Sequence, residues 1–551
     1  MSETIRSPWW RGAVVYQIYP RSFFDANGDG VGDLPGIFER LDYVASLGVD
    51  AIWISPFFRS PMADFGYDIA DYRAVDPLFG TLEDFDRVLE KAHRLGLKLM
   101  IDQVLSHTSD QHAWFLESRE SRSNPKADWY VWADARDDGT APNNWMSIFG
   151  GVAWQWEPRR GQYYLHNFLT SQPDLNFHNA QVRAATLDNV KFWLDRGVDG
   201  LRLDAINFCF HDRLLRDNPP KPAVERIGRG FSIDNPYAFQ RHLYNNTQPE
   251  NIAFLTELRT LLDRYPDVAA LGEISAEDSL ATMAEYTRAG RLHMGYSFEL
   301  LTKDGSARYI RRTVEQLELQ MLEGWPCWAI SNHDVPRVAS RWGGSGHAAA
   351  MPSQLTAMLC SLRGSVCVYQ GEELGLDEAD LPFEAIQDPY GKAFWPNFKG
   401  RDGCRTPMPW DSSTSGGFSA AVPWLPIPAA HRTRSVAVQE LKAHSALNRF
   451  RDFLRWRKRY PALIDGCIHF LDTAEPLLAF VRTHGQQSML CAFNLSDQAC
   501  EMTLPLEMAT STLTGHGLVA GEIRGGLLRL PAHGSVFAQL VTAGTLASAL
   551  E

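Results

Sequence analysis

Four short apolar runs in this chain of 551 residues lead into acids or imidazoles. Leu97–Ile101 runs into Asp102 and on to His107. Gly200–Leu203 ends on Asp204 and carries Arg202 inside it. Ala269–Ile274 holds Glu273, and Trp328–Ile330 leads into Asn332-His333-Asp334. A carboxylate at the rim of an apolar core is costly without a partner. Four of them at the same end of their runs, with Arg202, His107 and His333 beside them, predict a task. Three converging carboxylates suit glycoside cleavage, which passes through an oxocarbenium-like state. One carboxyl stays protonated as general acid, and another attacks the anomeric carbon or activates water. Crowding of like charges raises one pKa and keeps that acid protonated near neutral pH.

The elements that must position these residues recur along the chain. Val14–Tyr19, Ala51–Ile54, Leu97–Ile101, Gly200–Leu203, Ala269–Ile274, Trp328–Ile330 and Val366–Tyr369 read as strands, most with helix-like segments between them. A slot near Met294–Leu300, counted as seventh, completes eight. Eight strands alternating with helices suggest a parallel sheet, and eight is the number that closes a barrel, whose ligands bind at the carboxyl ends of the strands. Residues 108–180 break the alternation and read as an irregular insertion. Residues 371–433 read as long loops, and Val436–Tyr460 as helical. From Pro461 short alternating runs predict a small antiparallel β domain to about Val541, followed by a frayed tail. The expected division is a barrel over 1–107 and 181–460, an insertion over 108–180 and a β domain over 461–541.

A second site is readable from spacing. Asp25, Asn27, Asp29, the Val31 carbonyl and Asp33 fall at positions 1, 3, 5, 7 and 9 of a loop with Gly30 at position 6. This is the first part of an EF-hand loop without its final Glu. Hard oxygen donors predict Ca²⁺, or Mg²⁺ retaining more water, in a structural role.

The ordered motifs resemble glycoside hydrolase family 13, the α-amylase family, and within it the α-glucosidase/oligo-1,6-glucosidase group. Val15–Phe23 is similar to that group's opening. Asp102–His107, Gly200–Asp204, Glu273 and Asn332–Asp334 are similar to its third, fourth, fifth and seventh strand motifs. Gln172–Asn176 resembles the group's signature in the insertion, and Gly371–Gly375 its eighth-strand motif. The resemblance implies a (β/α)8 TIM barrel with Asp204 as nucleophile, Glu273 as general acid/base and Asp334 as the third carboxylate. It implies a retaining mechanism, with Asp102, His107, Arg202 and His333 at the terminal sugar and the metal at the Asp25–Asp33 loop. Asp64 and Tyr67 match terminal-glucose contacts, and Arg401 the arginine that pairs with that Asp and closes the pocket. Phe65 stands where the family usually has Asn. Phe149 and Phe168 are expected walls of the acceptor subsite, with insertion core as their alternative. Ala205 follows the nucleophile, where Val accompanies α-1,6 preference and smaller residues α-1,4. The expected activity is exo-acting α-1,4-glucosidase action on maltose-type substrates, with transglucosylation to hydroxyl acceptors. The same fold also serves oligo-1,6-glucosidases and sucrose- or trehalose-acting isomerases.

Composition bounds the rest. Lys and Arg number 53 against 66 Asp and Glu, a net charge of −13, which disfavours nucleic acid and anionic lipid as partners. No apolar stretch reaches membrane-spanning length, and Met1–Trp10 lacks a secretory run. Eight cysteines without a CxxC pair predict reduced thiols in a cytoplasmic protein; the expected assembly is a monomer or homodimer. An amylase-like heavy chain of amino-acid transporters would carry a membrane span and tend to lose catalytic acids. A polysaccharide-binding module would show an open aromatic surface in place of a closed acidic pocket. Aromatics make up 11% of the chain, a surplus that suggests flat faces for a ligand.

Overall fold

The computed structural model describes residues 7–226, 234–321, 323–344, 348–505 and 510–540. Eight parallel strands close a barrel: β1 (Val14–Ile18), β2 (Ala51–Ile54), β3 (Lys98–Val104), β4 (Gly200–Asp204), β5 (Ala269–Ile274), β6 (Met294–Ser297), β7 (Pro326–Trp328) and β8 (Ser365–Tyr369). Each strand pairs with its neighbours in chain order, and β8 returns to β1. Nearly every strand residue is buried, because one face meets the helices and the other the barrel interior.

The two-residue period sorts the interior by height. Val15, Ala51, Met100, Ala269, Leu271, Met294, Cys327 and Cys367 belong to one apolar cluster. Two residues further along their strands stand Gln17, Trp53, Asp102, Glu273 and Tyr296. Arg202 lies opposite Asp102, and Val104 opposite Asp204, in the β3–β4 register. The same alternation that fills the floor with apolar groups therefore delivers polar ones to the carboxyl end.

The insertion is more regular than its sequence predicts. It holds a helix, Ala113–Ser118, and a three-stranded antiparallel sheet of Trp132–Ala133, Gln162–Leu165 and Trp154–Glu157. Bridges His107↔Asp174 and Tyr130↔Leu175 tie its entry to its exit. The segment 371–433 is also not loop throughout, since it contains the helices Pro389–Phe394 and Ala429–Thr433. The expected helix over Val436–Tyr460 is broken into Val436–Glu440 and Ala446–Arg457, because the Ser445 side chain accepts the Asn448 N–H and starts a new helix. The strand at Met294 is the sixth in chain order. The seventh sits two residues earlier than its apolar run, on Pro326–Trp328.

The C-terminal domain packs a five-stranded antiparallel sheet against a three-stranded one, with Leu477, Leu490, Leu528 and Val536 in the core between them. Arg482 anchors it to the barrel. This guanidinium is fully buried and donates to the carbonyls of Ser361, Leu362, Gly466 and Cys467. Among the described residues no helix is long and apolar enough to cross a membrane. The expected frayed tail and the Val541 boundary lie outside the described residues.

Candidate active site

Arg202 organises the carboxyl end of the barrel. It is 1% exposed, and its Nη1 donates to Asp102 Oδ1 at 2.9 Å and to Asp204 Oδ1 at 2.6 Å. Its Nη2 stands 2.5 Å from Glu273 Oε1 as an ion pair without hydrogen-bond alignment. One cation thus spans three carboxylates on three strands. The Ala205 N–H donates to Glu273 Oε2 at 3.1 Å. Ala205 holds a left-handed conformation (φ 39°), which turns the chain sharply after Asp204.

Burial pushes the Glu273 carboxyl up to about 8, with Asp204 and Asp334 adding to the push against Arg202. A carboxyl in that state holds a proton at neutral pH and can donate it. Burial also pushes Asp102 up to about 7, opposed by Arg202. Asp334 is different. Burial pushes its carboxyl up, but His333 and the cations Arg401, Arg405 and Arg202 hold it well below the usual carboxylate range. Arg401 Nη1 stands 3.3 Å and Arg405 Nη2 3.0 Å from Asp334 Oδ1. Burial lowers both His107 and His333, the latter to about 3, so both imidazoles are neutral near pH 7.

Asp64, Tyr67, His107, Phe149, Phe168, Asp204, Ala205, Glu273, His333, Asp334 and Arg401 line one cavity of about 730 Å³, its mouth included. Asp102 and Arg202 do not line it. They lie one layer beneath, so they reach a ligand through Asp204, Glu273 and Tyr67, whose hydroxyl donates to Asp102 at 3.1 Å. The Tyr67 ring stacks on His333 at 5.2 Å. Arg401 Nη2 donates to Asp64 Oδ1 at 2.7 Å and its Nη1 to Asp334, so one guanidinium links two carboxylates of the lining. Phe65 is not part of the lining; it packs against Trp424 and under the guanidiniums of Arg21 and Arg405. Phe149, Phe168, Phe208, Phe298 and Tyr390 make up the aromatic part of the lining.

Several cavity residues carry no local signal in the sequence. Phe208 and Phe298 sit just past barrel strands, and Tyr390 lies in a loop-like stretch together with Asp388, which is buried behind the lining. Gln172, noted only as part of a signature, donates to Asp64 Oδ2 at 3.1 Å.

The Asp25–Asp33 loop stands apart from the cavity lining. Its donor types suit a hard cation. Asp25 accepts the Gly28 and Gly30 N–H groups, Asp29 that of Val31, and Asp33 that of Gly36 as a helix N-cap. Among the described residues no three His, Cys, Asp or Glu side chains converge as a metal group, so a cation here would also draw on Asn27 and the Val31 carbonyl.

Comparison with known proteins gives a consistent picture. Residues 17–466 match the model of the alpha-amylase catalytic domain, and residues 468–536 that of the maltogenic amylase C-terminal domain. A probable alpha-glucosidase of Rhizobium meliloti (strain 1021) is 56% identical over 97% of each chain. An oligo-1,6-glucosidase of Heyndrickxia coagulans is 39% identical over 90% of this chain and 94% of its own. Among solved structures, the alpha-glucosyl transfer enzyme XgtA is 68% identical with TM-score 0.96, over 97% of this chain and 100% of its own. The trehalulose synthase MutB of Pseudomonas mesoacidophila MX-45 is 32% identical with TM-score 0.88, over the same shares.

Proposed function

The chain belongs to the alpha-amylase family, and we propose that it is an exo-acting, retaining α-glucosidase that removes terminal α-1,4-linked glucose from maltose-type substrates. The observation that carries this reading is one cavity lined both by the Asp64–Arg401–Asp334 ion-pair cluster and by Asp204 and Glu273. A non-reducing terminal glucose sits against that cluster, which closes the pocket behind it. Asp204 attacks its anomeric carbon while Glu273 passes its proton to the departing oxygen. The covalent glucosyl-enzyme then meets water or another hydroxyl, and Glu273 takes the proton back. Asp334, ionised among its cations, binds sugar hydroxyls. Tyr67 supplies a flat face, and His107 and His333, neutral and pinned, bind hydroxyls without adding charge.

Transfer to hydroxyl acceptors is part of the proposal. Phe149, Phe168, Phe208, Phe298 and Tyr390 make the acceptor side apolar, which favours an organic alcohol over water at the moment of deglucosylation. Ala205 leaves room beside the scissile bond that a β-branched residue would fill, which favours α-1,4 links. A pocket difference of one or two methyls decides about 1–3 kcal/mol, so this is a preference.

The reading extends to a structural Ca²⁺ on Asp25, Asn27, Asp29, the Val31 carbonyl and Asp33, with no part in the chemistry. It also places the enzyme in the cytoplasm, a placement that its free cysteines support. The test is a product profile on maltose, isomaltose and sucrose with a phenolic acceptor present. Glucose and phenyl glucoside from maltose, with the α-anomer released first by NMR, support the reading. Isomaltose cleaved faster than maltose would replace it with α-1,6 action. Isomerised sucrose would replace it with isomerase action, and β-glucose would rule out retention.

A further inference from the structure

We propose that Asp388 is a positioning residue that ties the glucose end of the cavity to its acceptor wall. The inference rests on the α-glucosidase reading of the pocket. Asp388 is fully buried, and its two carboxylate oxygens serve both ends. Toward the glucose end, Oδ2 accepts the Arg401 backbone N–H at 2.7 Å and the Nε–H at 3.1 Å. Oδ1 accepts the Nη2–H at 2.8 Å. This is the guanidinium that also holds Asp64 and Asp334.

Toward the acceptor wall, Asp388 Oδ1 accepts the Tyr390 N–H at 3.2 Å and caps the helix Pro389–Phe394. Tyr390 lines the cavity and packs on Phe149 at 5.3 Å. Asn235 Nδ2 donates to its hydroxyl at 3.1 Å and also to the carbonyl of Ile148, another wall residue. The Arg401 guanidinium lies 4.9 Å over the Phe149 ring.

Two glycines allow the two segments to meet this closely. A Cβ on Gly391 would stand 2.6 Å from the Lys399 carbonyl oxygen. One on Gly400 would stand 2.6 Å from both the Asp388 carboxylate and the Gly391 Cα. With backbone against backbone, the two segments lie close enough for the single Asp388 side chain to reach both. One carboxylate sets where glucose stops and where the acceptor ring lies.

Asn and Ala at this position separate the two duties. Asn caps a helix about as well as Asp but carries no charge toward Arg401, whereas Ala loses both functions. Both are made in the full chain in the Asp204→Asn background, where turnover is stopped, and calorimetry measures Kd for glucose and for phenyl α-glucoside. Asp388→Asn should weaken glucose about tenfold or more, as expected for a charge-assisted hydrogen bond lost, and leave the gain of phenyl α-glucoside over glucose unchanged. Asp388→Ala should weaken glucose similarly and also lower that gain. Melting curves and circular dichroism establish that both variants are folded. Equal gains in the Asn and Ala variants, or unchanged glucose binding in the Asn variant, overturn the coupling. A parent that binds neither glucose nor phenyl α-glucoside overturns the reading of the pocket itself.

Discussion

Raising the pH above 8 should disable the general acid and leave a reaction that needs no proton untouched. Glu273 has to be protonated to cleave maltose, so activity is present below its pKa and lost above it. Burial places that pKa at about 8. Each pH unit beyond it removes about nine-tenths of the remaining protonated enzyme, so kcat/KM for maltose should fall about tenfold per unit. α-Glucosyl fluoride leaves without a proton, and its kcat/KM should lack the limb that belongs to Glu273. Asp102, at about 7, titrates in the same range and acts on both substrates alike. The ratio of the two profiles therefore isolates Glu273. The assay is initial glucose release from pH 6 to 10 at constant ionic strength. Glu273→Gln should cost kcat/KM for maltose about 10²–10⁴-fold and spare kcat/KM for the fluoride, which reports the attack step alone. A maltose limb near pH 5, or limbs of equal steepness for both substrates, would refute the assignment.

Other outcomes follow from single residues. Asp204→Asn should abolish hydrolysis of maltose and of the fluoride while leaving the melting curve in place; normal turnover would dismiss it as nucleophile. Arg482→Met strips donors from three buried carbonyls, those of Ser361, Leu362 and Gly466, and should destabilise the docking of the C-terminal domain by about 3 kcal/mol or more. Calorimetric scanning should then show an earlier transition, and an unchanged scan would mean that those carbonyls find other donors. Chelation should lower the melting midpoint and release Ca²⁺ detectable by elemental analysis. An unchanged midpoint with no metal found would discard the metal loop. Phe168→Ala should reduce the share of glucose transferred to a phenolic acceptor, read by chromatography, more than it reduces total turnover.

The barrel is legible because parallel strands buried on both faces leave short continuous apolar runs, and because polar residues accumulate at one end of them. Asp102, Asp204, Glu273 and Asp334 stand out for that reason. What they do to one another is not legible. The sequence places Arg202 two residues from Asp204, but the β3–β4 register is what sets it against Asp102, and the barrel's curvature is what brings Glu273 to the same guanidinium. Asp388, Arg405 and Tyr390 are harder still. Their loops have no periodicity, and Arg405 and Tyr390 find partners far away in the chain. Asp388 holds Arg401 across a contact that only two glycines permit. The break at Ser445 hides for the opposite reason: a capping serine inside a continuous helical pattern reads as an ordinary surface residue.

The Asp64–Arg401–Asp334 cluster, read as the closed end of the pocket, has a consequence for polymers. On that reading a glucan enters end-first, with one unit against the cluster, the next along the aromatic acceptor side and the rest of the chain outside. After each cut the shortened chain must withdraw so that the trapped sugar can escape, and it must then be threaded again. On the proposed reading the enzyme does not travel along its substrate but counts ends. At equal mass, a glucan twice as long offers half as many ends and is consumed at about half the initial rate when substrate is scarce.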